Sequence, residues 1–136
     1  MDDARSLVER YYAAFNARDM PAFLALVTDD VVHDINQGGR EVGRGAFASF
    51  MARMNGSYRE TLVEIEVMTS RDGMRAAAEF VVLGEYLAAD EGLPTASGQR
   101  YRLPAGAFFE LRDGKVARVT NYYNLADWIA QVEGGA

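Results

Sequence analysis

The chain has no cysteine and a single histidine among its 136 residues. The first absence excludes a disulfide framework, a thiol nucleophile and a thiolate metal site, and the second leaves too few imidazoles for a histidine-rich metal centre. Positive charge is also scarce: 14 Lys and Arg against 20 Asp and Glu give a net −6 at pH 7, and the arginines are scattered. A nucleic-acid or anionic-membrane surface needs a basic patch that displaces counterions, so neither partner is expected. No apolar run approaches the roughly 18 residues of a membrane-spanning segment. The start, Met1-Asp2-Asp3, lacks the basic residues and apolar stretch of a secretory signal. A cytoplasmic protein of one domain, 1–136, with no metal and no cofactor is the expectation, long enough to bury its own core.

What is present is an order of helices followed by strands. Leu7, Val8, Tyr11, Tyr12 and Phe15 recur at helical spacing, with Asp2 or Asp3 placed to cap the helix. Asp19 opens a second short helix that buries Phe23, Leu26 and Val27; its early Pro21 is tolerated because first-turn amides have no helical partner. Residues 31–35 read as a first strand and Gln37-Gly38-Gly39 as a turn. After Gly43-Arg44-Gly45 a third helix places Phe47, Phe50, Met51 and Met54 on one face.

From there the period becomes two. Leu62 to Met68 alternates, Arg71-Asp72-Gly73 is a hairpin turn, and Ala76 to Leu87 is a long apolar strand. Residues 88–98, with Gly92, Pro94 and Gly98, form a loop. Gln99 to Leu111 is a strand expected to bulge or bend at Pro104 and Gly106. Asp113-Gly114 turns into Val116–Tyr123, and Asn124 caps a last helix bearing Leu125, Trp128, Ile129 and Val132. The order predicts an α+β fold: a cone-shaped, curved, mixed but mostly antiparallel sheet wrapped around the N-terminal helices, with a short C-terminal helix.

Acid–base chemistry has a small set of candidates. Asp34 lies in a run of valine and isoleucine, where poor solvation would raise its pKa and make it a better base. Its neighbour His33 must face the opposite side of a regular strand, so one of the two is the site residue and the other supports the structure; Asp34 is favoured. Tyr11 and Tyr12 both fall on the apolar side of the first helix, and a buried phenol needs a partner that a substrate oxygen can supply. Either tyrosine fits that role. On the last strand Val119, Asn121 and Tyr123 share a face, which makes Asn121 and Tyr123 a polar lining, while Met51, Phe80, Val82, Pro104 and Phe108 complete an apolar wall with Val119. Glu79 is either a second acid or a residue of the outer sheet face. Gly43-Arg44-Gly45-Ala46-Phe47-Ala48 has the spacing of a dinucleotide loop but not its strand context, and Glu64 with Glu66 reads as a solvated face.

The stretch Arg10-Tyr11-Tyr12-Ala13-Ala14-Phe15-Asn16-Ala17-Arg18-Asp19, followed by Ala25-Leu26-Val27-Thr28-Asp29-Asp30 and His33-Asp34, resembles the opening of bacterial ketosteroid isomerases. Over its full length the chain is similar to the nuclear-transport-factor-2-like superfamily, with its SnoaL-type polyketide cyclases and limonene epoxide hydrolases. The resemblance implies that Tyr11 hydrogen-bonds a substrate carbonyl oxygen, that Asp34 shuttles the proton, and that two chains pair through the outer sheet face. It also exposes departures. Gly106 stands where the isomerases carry a protonated aspartate, Met51 replaces a supporting tyrosine, and Asn121 takes the place of the last-strand acid of the cyclases and epoxide hydrolases. Losing one oxyanion donor costs a factor of about 100 to 1,000 in rate. The expected function is a cofactor-independent, isomerase-like acid–base enzyme moving a proton next to the carbonyl of a small hydrophobic compound. The alternative is a non-catalytic module that binds a hydrophobic ligand or dimerises.

Overall fold

The computed structural model describes residues 3–134. In chain order it holds α1 (Asp3–Ala17), α2 (Met20–Leu24), β1 (Val27–Asp34), β2 (Arg40–Val42), α3 (Arg44–Ser57), β3 (Tyr58–Thr69), β4 (Arg75–Tyr86), β5 (Gln99–Arg112), β6 (Lys115–Tyr123) and α4 (Leu125–Gly134). The six strands form one open, curved sheet in the order β2-β1-β6-β5-β4-β3. Every pairing is antiparallel except β1 with β6, which run parallel. The fold is the α+β arrangement the residue order predicts.

Local signals place most boundaries. Asp19 accepts from the Ala22 amide at 3.1 Å to start α2, and Asn124 Oδ1 accepts from the Asp127 amide at 3.1 Å to start α4; each satisfies an amide that has no helical partner. Asp3 is the first residue of α1, and Asp2, the other candidate cap, lies outside the described residues. Asp113 (φ 54°) and Gly114 (φ 73°) turn the β5–β6 hairpin, the two positive values that a tight two-residue hairpin turn demands. The strands run longer than their apolar cores suggest: β1 begins at Val27 rather than Val31, and β3 at Tyr58 rather than Leu62.

The irregularity expected in β5 at Pro104 and Gly106 is absent. Its pairing with β4 runs without a shift through Val81↔Pro104 and Glu79↔Gly106. The reason is the side on which Pro104 lacks its N–H. Arg102, two residues earlier and therefore facing the same way, turns its N–H and carbonyl to the Gln131 amide of α4, and β6 does not begin pairing until Ala105. No ladder bond is lost. Shifts occur instead between Val63 and Glu66, where Glu64 has φ 53°, and between Glu110 and Leu111.

The helices fill the concave side. Leu7, Val8, Tyr11 and Tyr12 of α1, Phe23 of α2, and Phe47 and Met51 of α3 are buried against Phe80, Val82, Phe109 and Val119 of the sheet. Three side-chain amides finish exposed strand backbone that would otherwise lack partners. Asn16 bonds both backbone groups of Leu62 at 2.9 Å, Gln131 bonds those of Arg102, and Asn36 bonds those of Tyr123. Residues 88–98 are fastened down: the Tyr86 hydroxyl donates to the Pro94 carbonyl at 2.6 Å and accepts from the Asp90 amide at 3.0 Å.

Candidate active site

Alternation along each strand divides the chemistry between two faces. His33 of β1, Tyr58 and Glu60 of β3, Tyr101 of β5, and Asn121 and Tyr123 of β6 share the concave face with the buried Leu62, Phe80, Val82, Phe109 and Val119. Asp34, Glu79, Pro104 and Phe108 are on the convex face. Three expected site positions are therefore corrected, and of the two readings of Glu79 the outer sheet face holds. Glu79 sits opposite Glu66 and Gly106 with its side chain outward, and Pro104 and Phe108 alternate with the buried Leu103, Ala107 and Phe109; Phe108 is 52% exposed. Gly106 shares their face, away from any substrate chamber.

Asp34 is the third of the corrected positions. Its carboxylate is gripped by Arg40, whose Nε donates to Oδ1 at 2.6 Å and Nη2 to Oδ2 at 3.0 Å. Thr120 Oγ1 donates to Oδ2 at 2.6 Å, and Arg118 supports Thr120 at 2.5 Å. Both partners are dictated by register, since Asp34 lies opposite Arg40 on β2 and Thr120 on β6. The hydrogen bonds from Arg40 hold its carboxyl down to about 2 against the opposing effect of burial, so it is a poor proton acceptor at neutral pH. Its contribution to stability is present above the ordinary carboxylate value of 3.8 and is lost as pH falls through about 2. Asp34→Asn is expected to remove that acid-sensitive component from pH-dependent unfolding curves while leaving any proton-transfer activity intact; loss of activity in this variant would restore Asp34 as the base.

The inward neighbour is His33. It is 3% exposed, wedged between Phe47 and Phe50 with ring centroids 4.8 and 4.6 Å away. Asn121 Nδ2 lies 3.5 Å from Nε2, and Glu41 Oε1 lies 4.0 Å from Nδ1. An amide N–H toward Nε2 makes that nitrogen the acceptor and leaves the ring proton on Nδ1, facing Glu41. Nδ1 and Glu41 Oε1 are both buried and have no hydrogen-bond partner among the described residues; closing the gap between them would complete a carboxylate–imidazole pair. Burial lowers the His33 pKa, outweighing the pull of Glu41 and Asp34, so the imidazole is neutral at pH 7.

A second polar group lies nearer the β3 edge. The Tyr101 hydroxyl donates to Glu60 Oε2 at 2.6 Å, and the Tyr58 hydroxyl donates to Asp90 Oδ2 at 3.0 Å. Burial raises the Glu60 carboxyl, and the Tyr101 bond only partly counters it. Tyr123 is raised by burial and then by the charges of Glu60 and Asp90, which puts its phenol within electrostatic reach of both. Trp128 of α4 closes this end, edge-on to Tyr58, Tyr86 and Tyr101.

Tyr11 and Tyr12 are both buried on the concave side. Tyr11 is packed between Phe23 and Phe109, with centroids 4.5 and 5.4 Å away, and burial pushes its phenol well up. Tyr12 packs on Phe80 at 5.2 Å, and its buried hydroxyl has no partner among the described residues. Met51, Phe80, Val82 and Val119 are buried apolar positions of the same side. Glu41, Glu60 and Tyr101 escaped the sequence reading. Glu60 shares the parity of Leu62, a signal that becomes visible only if the alternation is carried back to Tyr58; Glu41 is placed by the register His33↔Glu41 of a short hairpin. Among the described residues no three His, Asp or Glu side chains gather as metal ligands, and no helix is long and apolar enough to cross a membrane.

Known proteins share this frame. A candidate polyketide cyclase of Pseudomonas putida is 67% identical, with 95% of this chain and 97% of that one aligned at a TM-score of 0.94. A second, from Xanthomonas campestris, is 59% identical over 96% of each chain at a TM-score of 0.93. An NTF2-like protein of unknown function from Burkholderia pseudomallei, 18% identical over 97% of this chain and 98% of its own, has a TM-score of 0.82 and shows the likeness of fold alone. No curated protein matches. With the sequence pattern of the SnoaL-like domain matching residues 8–119, from the helix that carries Tyr11 to the strand beside His33, this chain belongs to the SnoaL-like domain family.

Proposed function

We propose that this chain is a cofactor-independent acid–base enzyme of the cyclase or isomerase kind, moving a proton next to the carbonyl of a small, largely apolar compound on the concave face. The observation that carries the reading is His33: one imidazole, buried, neutral at pH 7, with an acceptor nitrogen at Nε2 and its other nitrogen facing a carboxylate. A neutral imidazole among aromatic rings is a competent base, because proton transfer works best from a group titrating near the operating pH. In this scheme His33 Nε2 takes the proton, the Asn121 amide turns its N–H to the developing enolate oxygen, and Glu41 steadies the imidazolium. Neither Tyr11 nor Tyr12 uses its hydroxyl in a hydrogen bond among the described residues, so either phenol is free to donate a further bond to the substrate. The names of the Pseudomonas putida and Xanthomonas campestris relatives, candidate polyketide cyclases, agree with this class of chemistry.

The test is solvent-deuterium incorporation at the α-carbon of bicyclic aromatic ketones such as 2-tetralone, followed by mass spectrometry. His33→Gln is expected to lower kcat/KM by about 100- to 10,000-fold. In the wild type kcat/KM rises as pH increases through the lowered His33 pKa and is level above 6.5. Exchange that is equally fast in His33→Gln would remove His33 from the mechanism, and a wild type that binds these ketones without exchanging them would leave a binding module of the same fold.

We also propose a homodimer through the convex face, where Phe108 and Tyr122 form an exposed edge-to-face pair at 5.7 Å with exposed Met68 in the same row of the sheet. Sedimentation equilibrium of the wild type against Phe108→Glu would reveal it as a loss of mass in the variant.

A further inference from the structure

Arginines that are scattered along the sequence meet at one end of the convex face, a region the proton transfer does not use. A groove of about 770 Å³ crosses β3, β4 and β5 there and reaches Gln131 of α4. Four arginines line it, Arg18, Arg59, Arg100 and Arg102, against one acid, Glu85, in a chain whose net charge is −6. Register sets the grouping. Arg59, Glu85 and Arg100 form one outward row, and Thr61, Leu83 and Arg102 form another. Between them runs the row of Glu60, Gly84 and Tyr101, which faces the concave side, and there the Tyr101 ring fills the space a Gly84 side chain would take.

The guanidinium groups keep most of their charge unneutralised. Arg59 and Arg100 flank Glu85, yet neither forms an ion pair or a side-chain hydrogen bond among the described residues. Arg102 gives one bond, from Nη2 to Glu64 Oε2 at 3.1 Å. Arg18 is fixed by neutral groups: Nη1 donates to the Asn16 carbonyl at 2.9 Å, and Nη2 to the Glu60 carbonyl at 3.0 Å. Like charges gathered in this way repel, and a bound anion relieves the repulsion. Arg59 and Arg100 are rooted two strand spacings apart, about 10 Å, and Arg100 and Arg102 two residues apart, about 7 Å. A single carboxylate occupies one such fork and leaves the others unpaired. An oligophosphate chain offers neighbouring oxygens to several forks at once, and phosphate is a group that guanidinium geometry matches.

We propose that this groove binds the oligophosphate chain of a small molecule, held by Arg59, Arg100 and Arg102, with Arg18 at its β3 end. The site is on the opposite side of the sheet from His33. Its floor at Leu83 is six residues along β4 from Ala77, the partner of Phe108, a distance of about 20 Å. Binding here stands apart from both the proton transfer and the pairing of two chains through Phe108.

The experiment is calorimetric titration of sodium tripolyphosphate into the wild type, Arg100→Gln and Arg75→Gln, at low and at high salt. The wild type is expected to bind one tripolyphosphate per chain, and Arg100→Gln to bind it about tenfold more weakly, as loss of a hydrogen bond between charged groups implies. Added salt weakens binding, because the arginines are open to solvent and their field is screened. Arg75 is an exposed arginine at the other end of β4; its variant removes the same charge and keeps the wild-type affinity. ATP titrated in parallel separates the sources of the chain. An affinity equal to or above that of tripolyphosphate assigns a nucleotide, and a lower one assigns the free anion. No binding by the wild type, an unchanged affinity in Arg100→Gln, or an equal loss in Arg75→Gln each overturns the proposal. Poly-glutamate bound more tightly than tripolyphosphate overturns it too, by making the groove a seat for an acidic protein segment. Near-ultraviolet circular dichroism of the single tryptophan, whose ring is 5.9 Å from that of Tyr101, checks that Arg100→Gln is folded.

Discussion

Gly84→Ala should lower the stability of this protein by about 2–5 kcal/mol, although alanine is ordinarily the better strand residue by about 0.5–1 kcal/mol. The added methyl would lie 2.2 Å from Cζ and 2.4 Å from the hydroxyl of Tyr101, so the ring has to leave. Overpacking of this kind costs about 1–3 kcal/mol. Moving the ring also breaks the 2.6 Å bond to Glu60 and disturbs the edge-on contact with Trp128, and a carboxylate left without its donor adds about 1–3 kcal/mol. Thermal unfolding followed by circular dichroism is the measurement. The informative companion is the pair Gly84→Ala with Tyr101→Ala. Once the ring is gone the methyl has room, so the double variant should be less damaged than the sum of the singles, with a coupling of about 0.5–3 kcal/mol. A Gly84→Ala protein within 0.5 kcal/mol of wild type would show that the phenol is not confined between Gly84 and Glu60.

The same row shows why the fold was more legible than the site. Helix α1, the hairpin turn at Asp113-Gly114 and the cap at Asn124 depend on residues within a few positions of each other, and the expected elements appear there. The faces of the strands depend on partners far away. His33 and Asp34 had to oppose each other, but Val32 and Ile35 flank them with apolar residues on both parities, so alternation alone could not orient the pair. Arg40 and Thr120 decide it, 6 and 86 positions away. Leu103-Pro104-Ala105-Gly106-Ala107-Phe108-Phe109 is apolar on both parities too, and the expected wall was drawn from the wrong one. Asn121 and Tyr123 were readable because only one parity of β6 continues the apolar Val119 into polar residues. Glu60 was hidden for a different reason: the amide of Asn16, from α1, secures Leu62, and the strand extends past its apolar core to a residue that no local pattern marks as inward.

Phe109→Ala is expected to be the most destabilising single change considered, at about 3–5 kcal/mol, and it tests the face assignment against its own neighbour. Phe109 has no exposed surface and meets both Tyr11 and Tyr12 edge-on, at 5.4 and 6.0 Å. Truncation forfeits the burial of a phenyl group and leaves a cavity beneath two rings that α1 holds in place. Phe108, one residue earlier, is 52% exposed on the other side of the sheet, and its truncation in a dilute sample should cost less than about 1 kcal/mol. Denaturant titration of the two variants measures the difference directly; equal losses would mean that β5 is turned the other way, and the concave site would fall with it. The consequence extends to the chemistry. Phe109 pairs with Val119, which pairs with His33, and His33 is neutral because that region is dry. A cavity that admits water weakens the desolvation holding its pKa down, so in Phe109→Ala the rise of kcat/KM with pH should move upward, toward 6.5, while Phe108→Ala leaves it where it is.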